Sequence, residues 1–563
     1  MEELPLQKLY TCEREWGAKP FLTQPVTDGA RRWTWAQAME ESRRMAAFLT
    51  SQNWPPASRI VIFSKNCAWW IMADFAIWMA GCISVPVYAA IREASLLAIC
   101  DQCDPVACFL GPLDQEIPAL KAKDNTAFSK MQFITFQNIP DIETAHRAIE
   151  WSEIVETHAP LAANPTRAWN EVATIIYTSG TTGSPKGVMQ SFQAVSLMAK
   201  SVLPGLPPAA KEGARILSYL PLAHIAERAI VEATALFTPL HIYFVESQQT
   251  FLRDLQQAKP TIFFTIPRLL MRFQQGVFEQ ISSKKLDLLL RVPILRRVIC
   301  KRILHGMGLD TAQLAASGAA PLRVELLVWY RRLGLNLVEG YGMTETGITH
   351  VTLPGQMRAG YVGSSSVYAK TRISADGEVQ IQGPMNFLGY YQNVAGTSES
   401  FTADGYFRTG DRGEIDREGR LRIVGRLKEE FKTAKGKYVI PAQIEKVLSA
   451  STLFDSMCVL GSGMAGPFVV AVLTPENAAK RGNPSAEPLL EQELHRELER
   501  VNAQLEHHEQ LRFMVVSAEP WTAANGFLTP TLKVRRAMIE GHHSSSFDAW
   551  ENSGKRIIWL GER

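Results

Sequence analysis

The chain reads as an α/β protein with more than one domain, and three observations predict this. Its 563 residues exceed what one hydrophobic core normally serves. Hydrophobic residues make up 46% and charged residues 20%, a globular composition able to bury large cores. Short apolar runs of strand length alternate with helix-compatible stretches along most of the chain, which predicts mainly parallel sheets flanked by helices. The net charge of +3 gives no reason to expect nucleic acid or a strongly acidic partner. The eight scattered cysteines read as reduced, buried thiols. Cys100, Cys103 and Cys108 contain one C-x-x-C with no second pair at zinc spacing, so no metal is expected there. Met1-Glu-Glu-Leu-Pro is acidic and no apolar run follows it, so no signal peptide and a cytoplasmic location are expected.

Residues 1–58 are expected to open with helix, and Thr34 and Gln37 stand at capping-box spacing before apolar positions at helical intervals. Cys67–Ile91 is the one stretch of membrane-spanning length. Asp74, Gly81, Ser84 and Pro86 interrupt it, and it divides better into a helix (Ala68–Ala80), a glycine stop and a strand (Ile83–Val87). With the strand Arg59–Phe63 before it, this is a β-α-β unit. Further strands are predicted at Val106–Leu110, Gln132–Phe136, Val172–Tyr177, Arg215–Leu220, Ile242–Val245, Thr261–Ile266 and Leu335–Val338. A helix is predicted from Phe192 to Leu203. Residues 281–310 mix basic and apolar side chains and read as an amphipathic surface helix pair with snorkelling side chains. The competing reading is peripheral contact of 284–304 with a membrane surface; Pro293, which interrupts a long amphipathic helix, favours the first. Residues 541–563 read as a polar tail.

A series of motifs carries chemistry. Thr178, Ser179, Gly180, Thr181, Thr182 and Gly183, followed by Ser184-Pro185-Lys186-Gly187, lie between a strand and a helix. Such a loop can turn several backbone N–H groups toward one point, and its hydroxyls and Lys186 suit a polyphosphate. It is not a Walker loop, because Pro185 stands where that pattern needs its second glycine. Leu220-Pro-Leu-Ala-His224-Ile-Ala-Glu-Arg228 ends a strand and opens a helix. Ser317 is followed by Gly318, Ala319 and Ala320, small residues that let a flat ring approach the backbone. Next comes Glu339-Gly340-Tyr341-Gly342-Met-Thr344-Glu345, offering an aromatic face, a hydroxyl and a hard carboxylate. Thr409-Gly410-Asp411, Gly425-Arg426-Leu-Lys428, Lys435-Gly436-Lys437 and Leu528-Thr-Pro-Thr-Leu-Lys533 complete the series.

Thr-Ser-Gly-Thr-Thr-Gly-x-Pro-Lys-Gly, with the other motifs in order, resembles the adenylate-forming (AMP-binding) superfamily. The Leu-Pro-Leu-x-His and Leu-Thr-Pro-Thr-x-Lys forms resemble its long-chain acyl-CoA synthetase branch. The resemblance covers nearly the whole chain. It implies a large N-terminal domain, 1–425, with stacked sheets and a small β-barrel-like subdomain, and a small mobile α+β domain, 426–563, hinged near 426–430. It implies that Thr178 to Lys186 hold the β- and γ-phosphates, Tyr341 stacks on adenine, and Thr344 meets the α-phosphate. Glu345, with Thr178, would hold Mg²⁺; Asp411 and Arg426 would hold ribose or phosphate. His224 would line the carboxylate site, Lys533 would act in adenylation, and Lys435 and Gly436 would line the channel for CoA. The implied substrates are a fatty acid, ATP and CoA. Transfer to a carrier-protein phosphopantetheine, or action on a medium-chain or aryl acid, are the alternatives, and the oligomeric state is open. Two departures stand out: Phe192 follows Ser191 where many relatives have histidine, and Val362–Tyr368 lacks the usual proline and glycine.

Overall fold

The apolar runs form strands at the expected places. The computed structural model describes residues 3–26, 29–113, 117–121, 128, 130–136, 148–179, 185–209, 213–529 and 532–561. An eight-stranded sheet runs in the order Gly389–Tyr390, Pro185–Ser191, Val172–Ser179, Ile83–Val87, Arg59–Phe63, Ala107–Leu110, Gln132–Thr135 and Ala148–Glu150. Its six strands from Val172–Ser179 onward are parallel, and the first two are antiparallel additions. A second sheet joins Ala214–Ser218, Leu240–Phe244, Pro20–Val26 and Gly29–Thr34. A third joins Ile262–Thr265, Leu314–Ser317, Leu337–Met343, Gly347–Val351 and Ser364–Ser365, its first three strands parallel. Lys370–Ile373, Glu378–Gln382, Phe407–Ile415 and Leu421–Arg426 make a further four-stranded sheet.

The candidate membrane segment is a core element. The helix Ala68–Met79 has all its residues buried, and it packs against Arg59–Phe63 and Ile83–Val87 of the first sheet and Pro20–Val26 of the second. A helix clamped between two sheets must be apolar all round, which explains why it looked long enough to span a bilayer. No helix among the described residues is long and apolar enough to cross a membrane. The Thr34–Gln37 capping box forms, with each side chain accepting from the other residue's N–H. It caps Trp35–Ser51. Before it, the helix Pro5–Trp16 is followed by the antiparallel strands Pro20–Val26 and Gly29–Thr34, so the opening is not helix throughout. Phe192 is fully buried, edge-on to Trp78 at 5.7 Å, so its place after Ser191 is a packing position. All eight cysteines are buried without disulfides.

The contacts divide the chain into two units. The first comprises 1–372, 380–408 and 417–421; the second comprises 373–379, 409–416 and 422–563. Within the second, Phe454–Leu460, Phe468–Leu473, Met514–Ser517 and Ile557–Trp559 form one sheet. The helix Glu487–Asn502 covers it with Leu490, Leu494, Leu498 and Val501, spaced at one helical face. The expected polar tail is corrected here. Residues 541–563 contain the end of the helix Arg536–His543, the helix Phe547–Asn552 and the strand Ile557–Trp559, parallel to Met514–Ser517. Phe547, Trp550 and Ile557 are buried, and three apolar anchors outweigh the polar residues between them.

Candidate active site

The candidate phosphate loop is a hairpin. Val172–Ser179 and Pro185–Ser191 pair antiparallel, with Thr178 opposite Lys186. The tip, including Gly180, Thr181, Thr182 and Gly183, lies outside the described residues. Gly187 is required by packing, since a Cβ there would meet Ile175 at 2.9 Å and the Tyr177 ring at 3.1 Å. Lys186 is half-buried, and its ammonium lies 5.2 Å from the ring centroid of Tyr390. Tyr390 reaches it because Gly389–Tyr390 pairs with Pro185–Ser191. The Tyr390 hydroxyl also donates to Glu345 Oε1 at 3.0 Å. One tyrosine thus touches the candidate phosphate cation and the candidate metal ligand. Burial first, then the Glu345 carboxylate, raise its phenol well above the usual range, so it remains a donor.

Leu337–Met343 carries Glu339, Gly340, Tyr341 and Gly342 and turns through Thr344 and Glu345 into Gly347–Val351. Gly342 has no room for a side chain: a Cβ would lie 2.2 Å from the Gly347 carbonyl oxygen. Thr344 is buried, and its carbonyl accepts from the side-chain amide of Gln190. The Glu345 carbonyl accepts from Phe387 N–H at 2.7 Å. Tyr341 is half-buried and edge-on to His350 at 5.8 Å, and burial lowers the His350 imidazole to about 3, so it is neutral. Leu314–Ser317 lies parallel beside Leu337–Met343 with Ser317 opposite Glu339, so Gly318, Ala319 and Ala320 leave the sheet at the same strand ends. These are the C-terminal ends, where open α/β sheets place ligands. Gly318 fits closely, since a Cβ would sit 3.4 Å from the Gly340 oxygen. Ala319 has φ +66°, a left-handed conformation that costs a residue with a Cβ about 1 kcal/mol or more.

His224 caps a helix: its Nδ1 accepts from Ala226 N–H at 3.2 Å. Four residues on, Arg228 is buried and joined to Asp74, to Glu232 at 3.1 Å, to Ser84 at 3.1 Å and to Thr174 at 3.0 Å. This network ties the turn bearing His224 to Ile83–Val87 and Val172–Ser179. The adjacent Glu227 accepts from Ser218 at 2.9 Å and from Tyr219 N–H at 3.1 Å, and burial raises its carboxyl to about 8.

The remaining candidates lie in the second unit. Gly410, at φ +69°, turns the chain so that Asp411 meets Arg426 Nε at 2.9 Å, while Arg426 also donates to Thr409 O at 3.0 Å. Lys435 and Gly436 are exposed at the turn of a short hairpin, Phe431–Lys432 with Tyr438–Val439, and Gly436 takes φ +74°. Lys533 is exposed in a tight turn: Thr529 N–H donates to Lys533 O at 2.8 Å, and Lys533 N–H to Thr529 Oγ1 at 3.0 Å. Arg536, three residues on, anchors this turn to Glu445 at 2.8 Å and to Glu429 at 3.3 Å.

Sequence reasoning missed Tyr390 and Gln190, took Arg536 only as the end of the Lys533 motif, and read Asp74 only as a break in an apolar run. The Arg228–Asp74 pairing spans 154 positions, as does Gln190 to Thr344, and no local pattern encodes it. For magnesium the donor set fits. Among the described residues no group of three acids, histidines or cysteines gathers, and Glu345 would offer a single hard carboxylate. Magnesium characteristically takes one or two carboxylates, with phosphate oxygens and water as the rest.

Polar and aromatic residues at the C-terminal ends of parallel strands, beside a lysine-bearing hairpin, define a nucleotide-handling α/β enzyme class. The chain belongs to the AMP-binding enzyme family, whose pattern it matches over residues 11–391. It is 30% identical to a long-chain-fatty-acid–CoA ligase, FadD15, of Mycobacterium bovis, over 94% of each chain. It is 27% identical to human long-chain-fatty-acid–CoA ligase 1, over 94% of this chain and 84% of the relative. The fold is shared with the adenylation domain of carboxylic acid reductase from Segniliparus rugosus, solved with AMP and a co-purified carboxylic acid. There the TM-score is 0.81 at 20% identity, covering 98% of this chain and 94% of that one.

Proposed function

We propose that the chain is an AMP-forming fatty acid–CoA ligase with long-chain acids as its preferred substrates. The observation that carries this reading is Tyr390, which brings Lys186 and Glu345 to one ring beside Thr344. A cation for the β/γ-phosphates and an acid for a hard metal, so linked, suit an ATP polyphosphate. In the first step a substrate carboxylate oxygen attacks the α-phosphorus of ATP. The new O–P bond forms as the bridging P–O bond to pyrophosphate breaks, giving acyl-AMP. In the second step the CoA thiolate attacks the acyl carbon, the C–S bond forms and AMP leaves.

Catalysis on this reading is positioning plus charge neutralisation. Thr178, Ser179 and Lys186 would hold the outer phosphates, Tyr341 the adenine against the small Gly318–Ala320 turn, and Asp411 with Arg426 the ribose. Thr344 would contact the α-phosphate and His224 the substrate carboxylate. Magnesium on Glu345 would supply neutralisation of phosphate charge. Lys533 would offset charge gathering at the α-phosphorus during the first step. Residues beyond the hinge near 426–430 would then turn, withdrawing Lys533 and presenting Lys435 and Gly436 to the pantetheine arm.

The test is turnover of the purified protein with ATP, magnesium and carboxylic acids from short to very long. CoA-dependent pyrophosphate release peaking on long chains is expected. Release on long acids that ignores CoA but responds to a carrier protein would move the acceptor. Silence across the panel would sink the ligase reading.

A further inference from the structure

We infer that the helices Ser283–Leu289 and Pro293–Gly306 form a docking face for an anionic lipid surface. Each helix is anchored by its inner side: Leu286, Leu290, Cys300 and Leu304 are buried in the core beneath them. The helix pair forms as expected, and Pro293 marks the break: it occupies the first position of the second helix, where its missing N–H costs nothing. The outward side is unusual. Leu288 is 63% exposed, Ile294 81% and Val298 61%, with Val292 at 46% and Leu295 at 44%. Residues 291–298 are all exposed, and they alternate short apolar groups with Arg291, Arg296 and Arg297. Arg296 reaches back to the Arg332 carbonyl at 3.3 Å, while the apolar groups beside it stand open to solvent.

Charge selects the occupant. Residues 283–306 hold seven lysines and arginines against the single acid Asp287, a net of +6, while the whole chain carries +3. The rest of the molecule is therefore net negative, at −3. Asp287 is already engaged by Arg332 at 2.9 Å. Among the described residues no carboxylate pairs with Lys284, Lys285, Arg291, Arg297, Lys301 or Arg302. Apolar side chains projecting among uncompensated cations match the boundary of an anionic bilayer, where the chains enter the acyl region and the cations meet headgroups. A second copy of this chain would set +6 against +6, which disfavours self-association through the face. Neither helix is long enough to span, so the contact is peripheral.

Vesicle co-sedimentation tests this without turnover, so its outcome is separate from the ligase reading. The full chain is mixed with phosphatidylcholine vesicles, and with the same vesicles carrying about 30% phosphatidylglycerol. Binding only to the anionic vesicles is expected, released as salt rises from about 0.05 to about 0.5 M. Arg297→Gln with Lys301→Gln and Arg302→Gln should weaken it roughly a hundredfold, at a factor of about five per cation. Ile294→Gln with Val298→Gln should weaken it roughly tenfold or more while leaving the salt dependence in place. Thermal melting confirms that both variants fold. Equal binding to neutral vesicles, no binding to either, or indifference to both variants would overturn the proposal. So would a concentration-dependent dimer that Ile294→Gln dissolves, or an acidic protein that competes for the face while vesicles do not.

Discussion

The first unit and the exposed turns of the second hold their candidate residues in opposite ways. In the first, Thr344 is buried, Glu345 is bonded through both its carboxylate and its backbone, and Lys186 rests on Tyr390. In the second, Lys533, Lys435 and Gly436 stand exposed on turns, fixed through backbone bonds and the Arg536 anchor. Groups that must only receive a ligand can be locked by packing in advance. A group that must act in one step and be absent in the next has to be displayed on a turn, where its side chain costs little to move. On this contrast, variants in the first unit should cost stability and affinity together, and variants of the displayed lysine should cost rate alone.

The largest effect is expected at Asp74→Ala. It strands Arg228 in the core without its main counter-charge, a change that typically costs about 3–5 kcal/mol. Chemical denaturation should show that loss, with both half-reactions falling together; a stable variant would break the scaffold argument. Lys533→Ala comes next. Pyrophosphate exchange should fall about 10²- to 10³-fold, while thioester formation from supplied acyl-AMP falls far less and the midpoint of unfolding stays put. Equal loss of both half-reactions would erase the contrast between the units. Tyr390→Phe should be milder, removing a hydrogen bond to a charged group worth about 1.5–3 kcal/mol while keeping the ring beneath Lys186. Weaker nucleotide binding by equilibrium dialysis, at least tenfold, is the expected reading. The effect at Glu227→Gln is read in the pH dependence. The folded carboxyl is raised from its usual 4.5 to about 8, so its contribution is full below pH 4.5 and is lost as pH rises toward 8. Denaturation midpoints of the parent should decline over that window, and those of the variant should be flatter.

The fold was legible because its signals are local. The strand at Arg59–Phe63 matches its apolar run residue for residue, and the helix after Cys67 ends within one residue of Ala80. The Thr34 cap formed as its spacing required. What was not legible depends on distant partners. Tyr390 matters because a two-residue strand pairs with Pro185–Ser191 some two hundred positions away. Ala319 lies in a conformation usually marked by glycine, so its letter gave no sign of the strained turn. The strand Ile557–Trp559 is three residues long between polar neighbours, and only the waiting edge of Met514–Ser517 makes it a strand. Motif residues could be named from the chain, but the groups that hold them could not.

The buried cysteines have a chemical consequence. An acyl-adenylate is an acylating reagent, and an exposed thiolate within its reach would compete with the intended acceptor. Burial raises the thiols of Cys12, Cys67 and Cys103 to about 12 and that of Cys82 to about 11, and those of Cys100, Cys108, Cys300 and Cys458 also rise. Since the thiolate is the nucleophile, all eight are inert near neutrality. On the proposed reaction, the protein is thereby proofed against self-acylation, and the sulfur of CoA meets no competitor from the chain that activates its partner.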